Sequence, residues 1–208
     1  ILPAGNQQVA ATIPPVAVTQ TVSVVNRLIL DGNRALKEGK MAEAEASFKS
    51  ALAQDSTASG ARLGLAACFY MNGAFLEAKR MLGDVLRTDP VNSQALGLQG
   101  IIAWRENDLS SAASYLSRAI RQDPGDAQLH NYRGIVLHSQ GFTEDAIKEF
   151  SKATELNPSM SDAPYNLAVA LASLRKPRLD EARKSYQAAL KLGYPRDDKL
   201  EQLLYAQP

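Results

Sequence analysis

The stretch 127–160, AQLHNYRGIVLHSQGFTEDAIKEFSKATELNPSM, contains two helical patterns separated by a glycine. From Ala127 to Ser139 the apolar residues Leu129, Tyr132, Ile135, Val136 and Leu137 fall broadly on one helical face. Gly141 interrupts the pattern. Ala146, Ile147, Phe150 and Ala153 then recur at three- and four-residue steps between Glu144 and Leu156. Asn157-Pro158 closes the stretch, because proline disfavours helical geometry in the residue before it. Gly134 and Ala146 are expected where the paired helices approach most closely, and Ala153 where the next unit stacks. A leucine at 134 or 146 should overpack that contact, at a cost of ~1–3 kcal/mol.

The same arrangement recurs along the chain with a period of 34 residues. Gly39, Gly73 and Gly141 keep the register, as do Asp89-Pro90, Asp123-Pro124 and Asn157-Pro158. Two further series are Ala44, Ala78, Ala112, Ala146 and Gly32, Ala66, Gly100, Gly134, Ala168. Residues 23–194 therefore divide into five units, 25–58, 59–92, 93–126, 127–160 and 161–194. The fifth is irregular: Ala168 to Ala182 is fourteen residues where the other units have twelve, so its inner turn, around Arg175-Lys176-Pro177-Arg178, should be longer and basic. Residues 195–208 read as a capping helix and tail. The helix is expected over 196–205, led by the capping-box spacing of Asp198 and Glu201, and it closes the apolar end of a stacked array.

These residues resemble the tetratricopeptide repeat family, in its bacterial form. Gly32, Ala35, Ala44, Phe48 and Ala51 carry the likeness in the first unit, and Leu65, Phe69, Gly73, Ala78, Asp89 and Pro90 in the second. Gly100, Ala112, Leu116, Ala119 and Pro124 carry it in the third, and Gly134, Gly141, Ala146, Phe150, Ala153 and Pro158 in the fourth. The resemblance implies an all-α, right-handed solenoid of about five helix-turn-helix repeats. It also implies that the first helix of each repeat lines a groove for a partner's peptide or helix.

Composition bounds the chemistry. In 208 residues, 45% are hydrophobic and 22% charged, an ordinary balance that argues against a disordered chain. With 23 basic and 22 acidic residues, a whole-chain nucleic-acid footprint is missing. No apolar run reaches the ~18 residues of a membrane span. The single cysteine, Cys68, excludes an internal disulfide and reads as a small core residue. His130 and His138 lack ligand-spaced companions, and the glycines follow the repeat rather than a phosphate loop, so neither a metal, a cofactor nor catalysis is expected. The cluster Arg175, Lys176, Arg178, Arg183, Lys184 is a weak nucleic-acid candidate, diluted by Asp180 and Glu181 and without interleaved aromatics.

The groove positions lie three before and one, four and five after each unit's small residue, one face of a helix. The set expected to bind a peptide is Leu63, Tyr70 and Met71, then Ile101, Trp104 and Arg105, then Asn131, Ile135 and His138, and finally Tyr165 and Val169. Apolar and aromatic residues with little charge suit the centre of a protein interface. The lysine-and-asparagine pattern of relatives that clamp an acidic carboxyl terminus is missing, since Ile29 stands where a lysine is needed.

Residues 1–22 carry no charged side chain and include Pro3, Pro14 and Pro15; they read as an extended arm. Two roles stay open for it. It is a tether to an upstream segment, as a chain starting Ile-Leu-Pro suggests, or it docks in the groove of its own or a neighbouring copy, making a homodimer in the second case. In that alternative the protein is a structural or assembly factor. The arm is similar to those of exported, periplasmic or lipid-tethered bacterial repeat proteins.

Overall fold

In the computed structural model residues 15–205 are described, with side chains from residue 23 onward. All regular elements among them are helices. The chain forms two compact units, Ile1–Gly73 and Ala74–Pro208.

The first unit holds α1 (Pro15–Lys37), α2 (Met41–Gln54) and α3 (Ser59–Met71). Phe48, on α2, is fully buried against two glycines, Gly32 of α1 and Gly64 of α3. A Cβ at position 32 would lie 2.6 Å from the ring, so the spacing of all three helices depends on hydrogen at these sites. Cys68 is also fully buried, and burial pushes its thiol pKa up, which keeps the thiol protonated.

α1 corrects one expectation. It begins at Pro15, so 15–22 is helical rather than extended. A proline in the first helical position loses nothing, because its missing N–H has no intrahelical acceptor there. Pro15 therefore starts a helix instead of preventing one. The docking expected of part of residues 1–22, burying Ile1, Leu2, Val9, Ile13 and Val16, concerns side chains outside the described residues.

The second unit holds α4 (Phe75–Thr88), α5 (Ser93–Arg105), α6 (Leu109–Gln122), α7 (Ala127–Ser139), α8 (Thr143–Leu156), α9 (Asp162–Ser173), α10 (Leu179–Lys191) and α11 (Asp198–Tyr205). Consecutive helices pack in pairs, and α5, α7, α9 and α11 also touch one another in series. Among the described residues α4, α6, α8 and α10 make no such contacts with each other. One layer is drawn together and the other splayed, so the α5–α7–α9–α11 layer is the inner side of the bend. Small residues make each pairing close: a Cβ on Gly100 would sit 2.7 Å from Leu116, and one on Gly134 2.5 Å from Phe150.

The turns explain the repeating punctuation. Gly39, Gly73 and Gly141 have φ of 72°, 75° and 86°, the left-handed region that glycine enters freely. Asn107 takes the same place in the third unit with φ 63°, the residue type that best tolerates it. At the other end of the units, Asp89, Asp123 and Asn157 accept hydrogen bonds from the amides of Val91, Gly125 and Ser159 at 3.3, 3.3 and 3.1 Å. These side chains fold the chain over the proline that follows them.

In the fifth pair the turn runs over 174–178, five residues where 140–142 has three, as the longer step requires. Tyr186 of α10 takes the place of Phe150 and is fully buried, and its hydroxyl accepts the amide of Asp197 at 2.8 Å. Asp197 in turn caps α11, accepting the amides of Lys199 and Leu200 at 3.0 and 3.1 Å. The cap is thus one residue earlier than the expected Asp198, and Glu201 falls too late to complete a capping box.

Candidate functional site

Eight of the expected groove residues belong to the second unit and share its inner layer. Ile101, Trp104 and Arg105 come from α5, Asn131, Ile135 and His138 from α7, and Tyr165 and Val169 from α9. Leu63, Tyr70 and Met71 lie on α3 of the first unit, the first two half-buried and Met71 57% exposed.

Trp104 is half-buried. One part of its indole packs on the core formed by Leu96, Ala103, Leu129 and Val136. Its ring centroid is 6.1 Å from that of Tyr132, tilted by 59°. The exposed Arg105 guanidinium stands over the indole at 4.9 Å, a cation–π geometry that holds the ring from the solvent side. Ile135 and Val169 are half-buried on the core around Phe150 and Leu171. These side chains divide between core and surface, so their positions are fixed from below while one side faces out.

The polar members are engaged differently. Asn131 is buried, and its amide oxygen accepts from the Asn166 side chain at 3.0 Å, joining α7 to α9. His138 is half-buried with Nδ1 3.4 Å from the Thr143 hydroxyl. Tyr165 donates its hydroxyl to Asp197 Oδ2 at 2.7 Å and stacks on Tyr194, with centroids 4.0 Å apart and planes 17° from parallel. Burial, and then the carboxylate of Asp197, push the Tyr165 phenol far above its ordinary pKa. Tyr165 therefore ties the C-terminal helix down and is itself half-buried.

The other histidine is structural. His130 is buried, with Nδ1 2.7 Å from Glu149 and Nε2 3.2 Å from the carbonyl of Pro124. Glu149 also pairs with Arg133 at 2.9 Å. Among the described residues no group of His, Cys, Asp and Glu is arranged to hold a metal ion. In the basic cluster Arg178 pairs with Glu181 at 2.5 Å, and Arg183 with Asp180 at 2.8 Å, its Nε donating to the Leu204 carbonyl. Much of that charge is neutralised locally. No helix among the described residues is long and apolar enough to cross a membrane.

Sequence reading missed Tyr194 and the whole of α11 as parts of this layer. The signal was present: α11 starts at Asp198, α9 at Asp162, a step of 36 residues, which is the repeat plus the two-residue insertion. α11 thus stands where the first helix of a sixth repeat belongs.

Tetratricopeptide repeat family models match residues 35–102 and 133–197, together more than half of the chain. The chain belongs to the tetratricopeptide repeat family. No curated protein sequence matches it. Among solved structures it is similar to PilF of Pseudomonas aeruginosa, with TM-score 0.77 and 20% identity over 88% of this chain and 82% of that one. TTC0263, a thermophilic TPR protein of Thermus thermophilus, has TM-score 0.70 and 23% identity, covering 88% and 97%. YrrB, described as a TPR protein with an unusual peptide-binding site, has TM-score 0.60 and 25% identity, covering 92% and 95%. Tetratricopeptide repeats are protein–protein interaction scaffolds, and that coarse role holds for this chain.

Proposed function

We propose that the protein is a non-catalytic adaptor that holds an extended or helical segment of a partner protein along the inner face of α5, α7 and α9. The observation that carries this reading is the half-buried surface of Trp104, Ile135, Tyr165 and Val169, anchored on the core and bordered by Arg105. Rigid aromatic and aliphatic side chains lose little conformational freedom on binding, which favours them as anchors. Leu63, Tyr70 and Met71 of α3 offer side chains of the same kind in the first unit.

The test begins with random decapeptides displayed on phage and selected on the immobilised full chain. Enriched peptides are then titrated while the emission of Trp104, the single tryptophan, is followed. A blue shift is expected, with at least a tenfold loss of affinity in Ile135→Glu, which buries a charge at the contact (~1.4 kcal/mol per decade). Ser114→Glu, an exposed site on α6, serves as the control. Equal affinity in both variants would refute the assignment.

A further inference from the structure

The inner face of the second unit changes character at its C-terminal end. The positions six residues before each unit's small residue continue the face by one helical step. They are Gln94, Gln128 and Asp162 on α5, α7 and α9, and the sixth-rung equivalent is Asp198 of α11. Two neutral amides are followed by two exposed carboxylates, each opening its helix. The position three before the small residue runs Gly97, Asn131, Tyr165 and ends on Glu201.

The cations in this corner do not cancel the carboxylates. Arg196 pairs with Glu201 at 3.4 Å, and Lys199 is exposed on the first turn of α11. Asp197 is consumed by its cap and by Tyr165. Among the described residues Asp162 and Asp198 have no ion pair; burial, and then the carboxylates of Asp162 and Asp197, push the Tyr194 phenol upward, so Asp162 stands within electrostatic reach of that ring. The half-buried Tyr165–Tyr194 stack provides aromatic surface beside them.

α11 also departs from the small-residue register. Leu204 of α11 occupies the register position that is Gly or Ala in the other units, and it is fully buried.

We propose that the polypeptide bound by this face carries an arginine or lysine at the end that reaches α9 and α11, where Asp162 and Asp198 receive it beside the Tyr165–Tyr194 stack. The inference rests on the peptide-binding reading above. Charge complementarity fixes which way along the layer the segment runs, because its apolar part covers Trp104 and Ile135 and its cation meets the carboxylates. An aromatic face next to a carboxylate suits a guanidinium or ammonium group.

The phage selection tests this directly when its sequences are read at ~50 mM salt, where screening is weak. Arg and Lys are expected to be enriched at one end of the selected peptides. A selected peptide should bind Asp162→Asn/Asp198→Asn about tenfold more weakly, and the difference should shrink at ~0.5 M salt. Selection on Asp162→Lys/Asp198→Lys should enrich Asp and Glu at the same end, with helicity and Trp104 emission confirming that the variants are folded. Apolar peptides with no basic bias, bound equally well by the variants, overturn this inference and leave the peptide-binding face standing. Failure to enrich any peptide overturns both.

Discussion

Two glycine-to-alanine substitutions in helix interiors should change stability in opposite directions. Gly134, on α7, faces Phe150: an added Cβ would lie 2.5, 2.7 and 2.9 Å from three ring carbons. Carbon atoms pack at ~3.5–4.0 Å, so the ring has to retreat by about 1 Å. Phe150 is only 1% exposed, so the ring is enclosed by its neighbours. Overpacking of this kind costs ~1–3 kcal/mol, against a gain of ~0.5–1 kcal/mol from replacing glycine in a helix. The net expectation for Gly134→Ala is a loss of roughly 0–2.5 kcal/mol. Gly83, on α4, has open space around its Cβ position. Gly83→Ala should therefore keep the whole gain of ~0.5–1 kcal/mol. Urea unfolding followed by circular dichroism gives the sign of each change from the midpoint. Stabilisation by Gly134→Ala comparable to that of Gly83→Ala would refute the close approach of α7 and α8.

Tyr165→Phe removes the 2.7 Å bond to Asp197 and should cost about 1 kcal/mol, seen as faster amide exchange in α11 and little change in α5. The Asp197 carboxyl is held below its ordinary range by the Leu200 amide, the Tyr165 phenol and the Lys199 amide. The folded state resists protonation, so this contribution is complete above the unfolded value of about 3.9 and is lost as pH falls through the lowered folded value. Protection of α11 should accordingly fall at acid pH in the native chain, and depend less on pH in Asp197→Asn. Asn107→Gly relieves a left-handed asparagine and should raise stability by about 0.5 kcal/mol, whereas Asn107→Val should lower it by more than about 1 kcal/mol, both read from urea midpoints.

Much of the fold was legible because close helix pairing leaves a local mark: a glycine or alanine must recur wherever Phe48, Leu116 or Phe150 presses on its partner helix. The turn series was readable too, although Asn107 disguises it by meeting the same backbone demand with a different side chain. The start of α1 was misread because proline acts differently inside a helix and at its first residue, a distinction that residue type alone does not carry. α11 was expected as a cap. Its equivalence to a sixth first helix was hidden by the two residues inserted before Ala182, which displace everything after them from the 34-residue grid.

The site was only partly legible. Helical spacing picks out one face, and the eight second-unit residues lie on α5, α7 and α9. Spacing alone does not say which of them are spent on structure. Asn131 is buried by its bond to Asn166, and Tyr165 is held by Tyr194 and Asp197, which reach it across the irregular segment after α10. Such pairings depend on the path of a non-repeating loop, so no periodic pattern encodes them.

The central claim is that polypeptide binds on the inner layer of the second unit. It is tested most directly by mapping backbone amide shifts of the full, isotope-labelled chain as a phage-selected decapeptide is added. The account predicts that perturbations concentrate on Ile101–Arg105, Ile135–Ser139 and Tyr165–Val169, along with the Trp104 indole. Perturbations confined to the outward faces of α6, α8 and α10 would contradict it.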